Sequence, residues 1–294
     1  MSNLIQQRHS ICSFTSSDSW AILSPIEQNI KRKIEAVGTP LENWDIQINY
    51  GIKTGCNEAF IISTQEREDI LSNCKDREER LRTAELIRPI LRGRDINRYG
   101  YNWANLWLIN THNGIRGRLE RIHIEDYPAI KAHLDQYWNR ISKRADKGDT
   151  PYNLRNCAYL DDFSLPKIIY PNMTKYMPFV YDNKSYVTNQ KCFIITGNNV
   201  AYLTAFFNSS LFKYCFRDSF PELQGGTREL SKIFFDKIPV CEVSDFQNKL
   251  FQEVVEDIQY KYTKQKAQRI DSILFDLYNL TPEERKTIGF VEIV

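Results

Sequence analysis

Residues 51–62 read GIKTGCNEAFII, and beyond a long charged stretch residues 86–101 read LIRPILRGRDINRYGY. Gly51 and Gly55 bracket Ile52, Lys53 and Thr54, so the backbone there can turn tightly and approach a partner with no Cβ in the way. The apolar run 59–62 that follows reads as a buried strand. In the second block Arg88, Arg92, Arg94 and Arg98 surround Pro89 and Gly93, with Asp95 among them. On an extended segment Arg92 and Arg94 project to the same side. Guanidiniums grouped at a turn suit phosphate oxygens or a guanine edge, because both accept paired hydrogen bonds.

Working outward, the hydrophobic period changes along the chain. Ser24-Pro25-Ile26-Glu27 is a helix start, and Ile26, Ile30 and Ile34 continue it to Gly38. From Trp44, Ile46 and Ile48 the pattern alternates as in a strand. Residues 65–87 predict one charged helix with Leu71, Leu81 and Leu86 inward, and residues 106–109 another buried strand. Residues 179–187 predict a hairpin with Asp182 and Asn183 in its turn, followed by a strand from Cys192 to Gly197. Residues 201–216 predict a buried helix. After position 243, Phe246, Leu250, Val254, Ile258 and Tyr262 form one helical stripe, with a second helix through Ile270 and Leu277 and a third capped by Thr281. Strands and helices mix without a βαβ rhythm. The expected fold class is α+β, a twisted, largely antiparallel sheet with flanking helices, followed by C-terminal helices. The expected organisation is a connector with one helix (1–44), a central domain (45–243) and a C-terminal helical extension (244–294).

The two opening blocks, with four later ones, resemble the TaqI-like C-terminal specificity domain. This is the target-recognition part of adenine-specific DNA methyltransferases and of type IIG restriction–modification enzymes. The later blocks are Tyr127-Pro128-Ala129-Ile130, Leu165-Pro166-Lys167-Ile168-Ile169-Tyr170, the run LTAFFNS at 203–209 and the run FDKIPV at 235–240. The similarity covers about residues 45–243, and the ordered series is more specific than any one block. The tail through Ile270, Asp271, Leu277, Tyr278, Leu280, Thr281 and Glu284 also fits the family's architecture. The resemblance implies a non-catalytic module that reads double-stranded DNA for a methyltransferase, or methyltransferase–nuclease, domain in cis or in trans. It implies adenine-N6 methylation by that partner, with S-adenosylmethionine bound there and no cofactor in this chain. Such a methyltransferase needs an Asn-Pro-Pro-Tyr-type turn and a Gly-rich strand-to-helix turn, and neither occurs here. The nearest approximation is Tyr170-Pro171-Asn172.

At 294 residues the chain is long enough for a sizeable core. Its formal net charge of +2 decides nothing about nucleic acid, because a basic face can be offset by an acidic one. Seven cysteines without a CxxC pair, and four histidines without HxxxH spacing, argue against a disulfide framework and a zinc site. No signal peptide or membrane-spanning run is visible, so a cytoplasmic protein is expected.

The candidate DNA-contacting residues are Lys53, Thr54, Asn57, Arg92, Arg94, Arg98, Lys167, Gln224 and Arg228. Lys53 and Thr54 sit in the glycine-bracketed turn and either meet phosphate or form an ordinary tight turn with a solvated lysine. Asn57 either reads an adenine edge or caps a turn. Arg92, Arg94 and Arg98 contact DNA or pair with Glu78, Glu79 and Glu85. Lys167 is a phosphate contact or a strand-end charge. Gln224 and Arg228 flank Gly225-Gly226 in a loop that is a contact or a plain connector. Tyr99 and Tyr101 are candidates to stack or wedge. Two other functions stay open. One is a magnesium-dependent endonuclease using Asp162, Asp182 and Lys184, whose spacing fits two carboxylates on a metal and a lysine near water. The other is a protein-interaction domain that meets its partner through the C-terminal helices, with no DNA contact.

Overall fold

The computed structural model describes residues 24–292; the Ser-rich lead and the Trp20 patch lie outside the described residues. Two four-stranded sheets organise the molecule. The first has the order Val180–Asp182, Lys167–Pro171, Cys192–Gly197, Ile46–Tyr50, antiparallel throughout. The second runs Val187–Thr188, Ile87–Leu91, Leu106–Ile109, Ile61–Ser63, with its first pair parallel and the rest antiparallel. Sheets and helices mix as an α+β fold.

The apolar run at 168–170 is continuous because the first sheet is buried on both faces. Side chains of a strand alternate. Ile168, Tyr170, Tyr181 and Ile195 therefore enter one core cluster, while Ile169, Val180 and Ile194 enter a second one shared with the other sheet. The first cluster is dominated by aromatics. Phe207 lies 5.1 Å from Phe179 and 5.3 Å from Phe235, centroid to centroid, so much of the aromatic excess is core. The 203–209 motif also has a structural role. Asn208 donates to Phe179 O (2.7 Å) and accepts from Phe179 N (3.1 Å), and Ser209 caps the next helix at Phe212 N. The expected single helix over 201–216 is thus two, Val200–Asn208 and Ser210–Phe216, joined at a Ser cap.

Helix-start chemistry holds where it was explicit. Ser24 and Glu27 form a reciprocal capping box on Pro25–Val37, and Thr281 and Glu284 form another on Pro282–Ile288. The first of these helices buries Ile30 and Ile34 in the same cluster as Phe251, Val255, Ile270 and Leu274 of the C-terminal helices. Gly38–Pro40 pairs antiparallel with Pro239–Cys241, and Lys33 Nζ donates to Glu284 Oε2 at 2.7 Å. Residues 24–44, the central body and the C-terminal helices therefore share one core.

Several local expectations are corrected. The charged stretch forms two helices, Thr64–Ser72 and Arg77–Leu86, each with its own cap (Ser63 and Asp76), and Leu81 faces solvent. Ala59 and Phe60 end a short helix, Asn57–Phe60, before the strand begins at Ile61. The expected hairpin at 179–187 does not form. Val180–Asp182 belongs to one sheet and Val187–Thr188 to the other, so the segment crosses between sheets and Asp182 lies on a strand. Phe246 (79% exposed) and Tyr262 (45%) leave the predicted apolar stripe, because Asp245–Tyr260 buries only the side carrying Phe251, Val254, Val255 and Ile258. Among the described residues no helix is long and apolar enough to cross a membrane.

Candidate nucleic-acid interface

The glycine-bracketed turn is pinned from two sides. Gly51 N donates to Cys192 O at 2.9 Å and Ile52 N to Thr188 O at 2.7 Å, and Ile52 bridges Asn189. A Cβ on Gly51 would lie 2.2 Å from Asn189 O and 2.5 Å from Thr188 O, so the strand-like approach needs glycine. On the other side buried Arg144 donates to the carbonyls of Thr54, Asp146, Pro151 and Asn153, and its guanidinium lies 4.5 Å from the centroid of the Phe60 ring. Burial brings the Arg144 guanidinium down to about 10. Gly55, at φ +63°, adopts the left-handed conformation that closes the turn.

The arginine block folds into a tight turn at Gly93–Asp95 rather than an extended segment, and Arg92 and Arg94 both line one cavity. Asp95 accepts from Arg92 N (2.9 Å), Nε (3.0 Å) and Nη2 (2.8 Å). That bidentate pairing holds the Arg92 guanidinium above its ordinary pKa. The partner is therefore Asp95 within the turn, not Glu78, Glu79 or Glu85. Arg94 sits exposed at the tip. A Cβ on Gly93 would stand 3.1 Å from Pro171 Cβ, so the turn rests on the end of the Lys167–Pro171 strand.

Residues of these two blocks that lie more than 30 positions apart in the chain meet at one cleft. A cavity of about 580 Å3 is lined by Asn57 and Ile61 from the first block and by Arg92, Gly93 and Arg94 from the second. Glu58, Leu106, Pro171, Asn172, Met173, Asn189 and Lys191 complete it. Gly93, Arg94, Pro171 and Met173 also line an adjoining cavity of about 810 Å3, whose far wall carries Tyr176, Tyr260 and Tyr262. Lys53, next in chain to the Ile52–Asn189 bridge, is not among the residues lining either cavity; it is partly exposed, with its Nζ 5.0 Å above the Tyr50 ring. Lys175 and Lys191 are exposed. Glu58, the acid in the lining, is paired with Arg140.

The remaining candidates separate sharply. Thr54 is buried and donates to Asn57 Oδ1 at 2.6 Å, so it shapes the turn instead of facing outward. Asn57 is exposed and accepts that bond; it is the first residue of its helix, not the cap. Three expected DNA contacts are interior and are corrected here. Arg98 donates to Asn208 O through Nε (3.0 Å) and Nη2 (2.7 Å) and to Val291 O (2.7 Å), tying the helix end to the chain's tail. Lys167 is fully buried, with Nζ 2.6 Å from Asp182 and 2.7 Å from Phe163 O. Arg228 is buried and pairs with Asp218 (2.9 Å) and Glu222 (2.8 Å) while donating to Phe220 O. It closes its own loop, leaving Gln224 exposed beside Gly225 and Gly226, outside the lining of both cavities. Tyr99 is buried as well; Tyr101 is partly buried, edge-on to Tyr186 at 5.2 Å.

The endonuclease alternative loses its central carboxylate. Asp182 is 2% exposed and already holds Lys167, Lys184 N (2.9 Å) and Tyr186 N (2.9 Å), while Asp162 accepts from Asn49 and Thr196. Among the described residues no group of three or more His, Cys, Asp or Glu is placed to hold a metal ion. Sequence reading missed Asn172, Asn189 and Lys191. Their signal was the polar triplet Asn189-Gln190-Lys191 between two apolar strands, which the strand pairing of Cys192 with Pro171 carries to the cleft.

Two sheets thus support two adjoining cavities whose lining is polar and apolar, with Arg92, Arg94 and Lys191 as its basic groups in the smaller one. The family model for the TaqI-like C-terminal specificity domain matches residues 88–240, just over half of the chain, and the chain belongs to that family. A curated relative, the type II methyltransferase M.BanIII of Aneurinibacillus aneurinilyticus, is 24% identical over 164 residues, covering 53% of this chain and 27% of the relative. Two solved structures share the fold. The type IIL restriction–modification enzyme MmeI, in complex with DNA, superposes with a TM-score of 0.55 at 10% identity over 83% of this chain. The type IIG restriction endonuclease BpuSI gives 0.52 at 14% identity over 89%. This chain spans about a third of either structure and about a quarter of the methyltransferase.

Proposed function

We propose that this chain is a sequence-reading DNA-binding module of a restriction–modification or DNA-methyltransferase system. Duplex DNA would lie against the cleft between the 51–57 turn and the 92–95 turn. The observation that carries this reading is the meeting of the two blocks at one surface. Both blocks enter one core cluster, Ile52, Phe60 and Ile62 with Ile87, Ile90 and Leu91, and each reaches the same cavity, through Asn57 and through Arg92, Gly93 and Arg94. Exposed Lys191 lines it, exposed Lys175 and partly exposed Lys53 are the further point charges proposed for phosphates, and the exposed Asn57 side chain, whose oxygen accepts from Thr54, offers its amide N–H groups. The family match, and a fold relative solved with DNA, support the same reading. The module acts without chemistry of its own. Methyl transfer, with adenine N6 as the expected acceptor and S-adenosylmethionine as donor, belongs to a catalytic domain in cis or in trans in the cytoplasm.

Such binding is dominated by release of counterions from the duplex. Titrating a fluorescent duplex with the chain across a salt series is expected to give an affinity that falls linearly on a log–log scale. The combined change Lys53→Ala, Lys175→Ala, Lys191→Ala is expected to flatten that slope by about 0.9 for each phosphate contact removed. A duplex that fails to bind even at low salt, or a slope unmoved by the three substitutions, overturns the proposal.

A further inference from the structure

We infer that Arg94 is a base-reading side chain, aimed at a guanine edge, while the lysines around the cleft position the backbone. The inference rests on the reading of the cleft as the DNA face. Arg94 occupies the wall that both cavities share. It is exposed, and among the described residues it has no hydrogen-bond or ion-pair partner. The one acid in its turn cannot reach it, because the Asp95 carboxylate is buried and taken up by Arg92 at three donors.

The mounting is rigid. Asp95 N donates to Arg92 O (2.9 Å), Asn102 N to Asp95 O (2.7 Å), and Ile96–Asn97 pairs with Gly100–Tyr101. Gly93 packs on Pro171 beneath. Directional bonds to a base need such a platform, whereas a phosphate is satisfied by a mobile point charge. A planar guanidinium matches guanine O6 and N7 together. The surroundings agree. Asn57, Asn97, Asn102 and Asn172 present neutral amides on either side of Arg94, and Asn172 Oδ1 is buried without a partner among the described residues. Lys191, on the same smaller cavity, and Lys175 are exposed to solvent.

The test is selection from a randomised duplex library by the whole chain, its Arg94→Ala variant and its Arg94→Lys variant, with thermal unfolding checked for each. Wild type is expected to select a site containing a guanine at one position. Both variants are expected to lose preference at that position, weakening the selected duplex by about 5- to 150-fold with little change for a scrambled one. Lysine is expected not to restore the preference, since it lacks the fork. A loss that is uniform across sequences and restored by lysine makes Arg94 a phosphate contact, which overturns the inference and leaves the DNA-binding module intact. Unchanged selection by Arg94→Ala overturns it too. A wild-type chain that binds no duplex removes both readings at once, and does so before any variant is compared.

Discussion

Replacing Lys167 by alanine is expected to lower the unfolding free energy by about 3–5 kcal/mol, a large share of the ~5–15 kcal/mol that stabilises a typical domain. Lys167 and Asp182 face each other across antiparallel strands with 0% and 1% of their side chains exposed, and the Nζ–Oδ2 distance is 2.6 Å. Burial draws the Lys167 ammonium below its ordinary pKa, and Asp182 opposes that shift. Removing the lysine leaves a carboxylate in the interior with two backbone donors and no direct ion-pair partner, the nearby Arg88 guanidinium being bonded to Ser185 O. Urea unfolding should show a lower midpoint with an unchanged slope. A loss below about 1 kcal/mol is what a solvated surface pair would give, and it would contradict the burial of Lys167.

Gly51→Ala is expected to destabilise the chain by about 1–3 kcal/mol and to weaken duplex binding by about tenfold or more. The cause is steric. The Gly51 φ lies outside the left-handed range, but an added Cβ would meet the backbone of Thr188 and Asn189 at 2.2–2.5 Å, and backbone cannot rotate aside. The turn must lift from the Thr188–Asn189 segment, breaking the Ile52 bonds and moving Lys53 and Asn57 away from Arg94. Gly100→Ala is the control for stability, since a Cβ there meets nothing within 4 Å. Equal effects of the two changes on the urea midpoint would contradict this account of the turn.

Features encoded by neighbours in the chain were legible. The capping boxes at Ser24 and Thr281 read correctly because the bonding partners sit three residues away. The three C-terminal helices read correctly because apolar spacing reports burial directly, while the strand at 167–171 was marked by the resemblance of residues 165–170 to the family's pattern. The two turns that build the cleft announced themselves through glycines placed where a side chain would collide. What misled was charge. Arg98, Lys167 and Arg228 carry the residue types of a DNA contact, but partners elsewhere in the fold decide their fate. Arg98 reaches carbonyls 110 and 193 residues away, and Lys167 meets Asp182 through strand register that no local pattern specifies. Arg92 was readable in part, since Asp95 lies three residues on at capping distance. Arg94 is the arginine of that block whose exposure matches its expectation.

The central claim is that the cleft joining residues 51–57 to 92–95 is the surface that meets DNA. Amide hydrogen exchange of the whole chain, with and without a saturating duplex at low salt, tests it most directly. Exchange is expected to slow at residues 52–58, 93–102, 172–176 and 189–191 together. Slowing confined to the exposed Phe246 and Leu250 side of the Asp245–Tyr260 helix, or to none of these four segments, would contradict it.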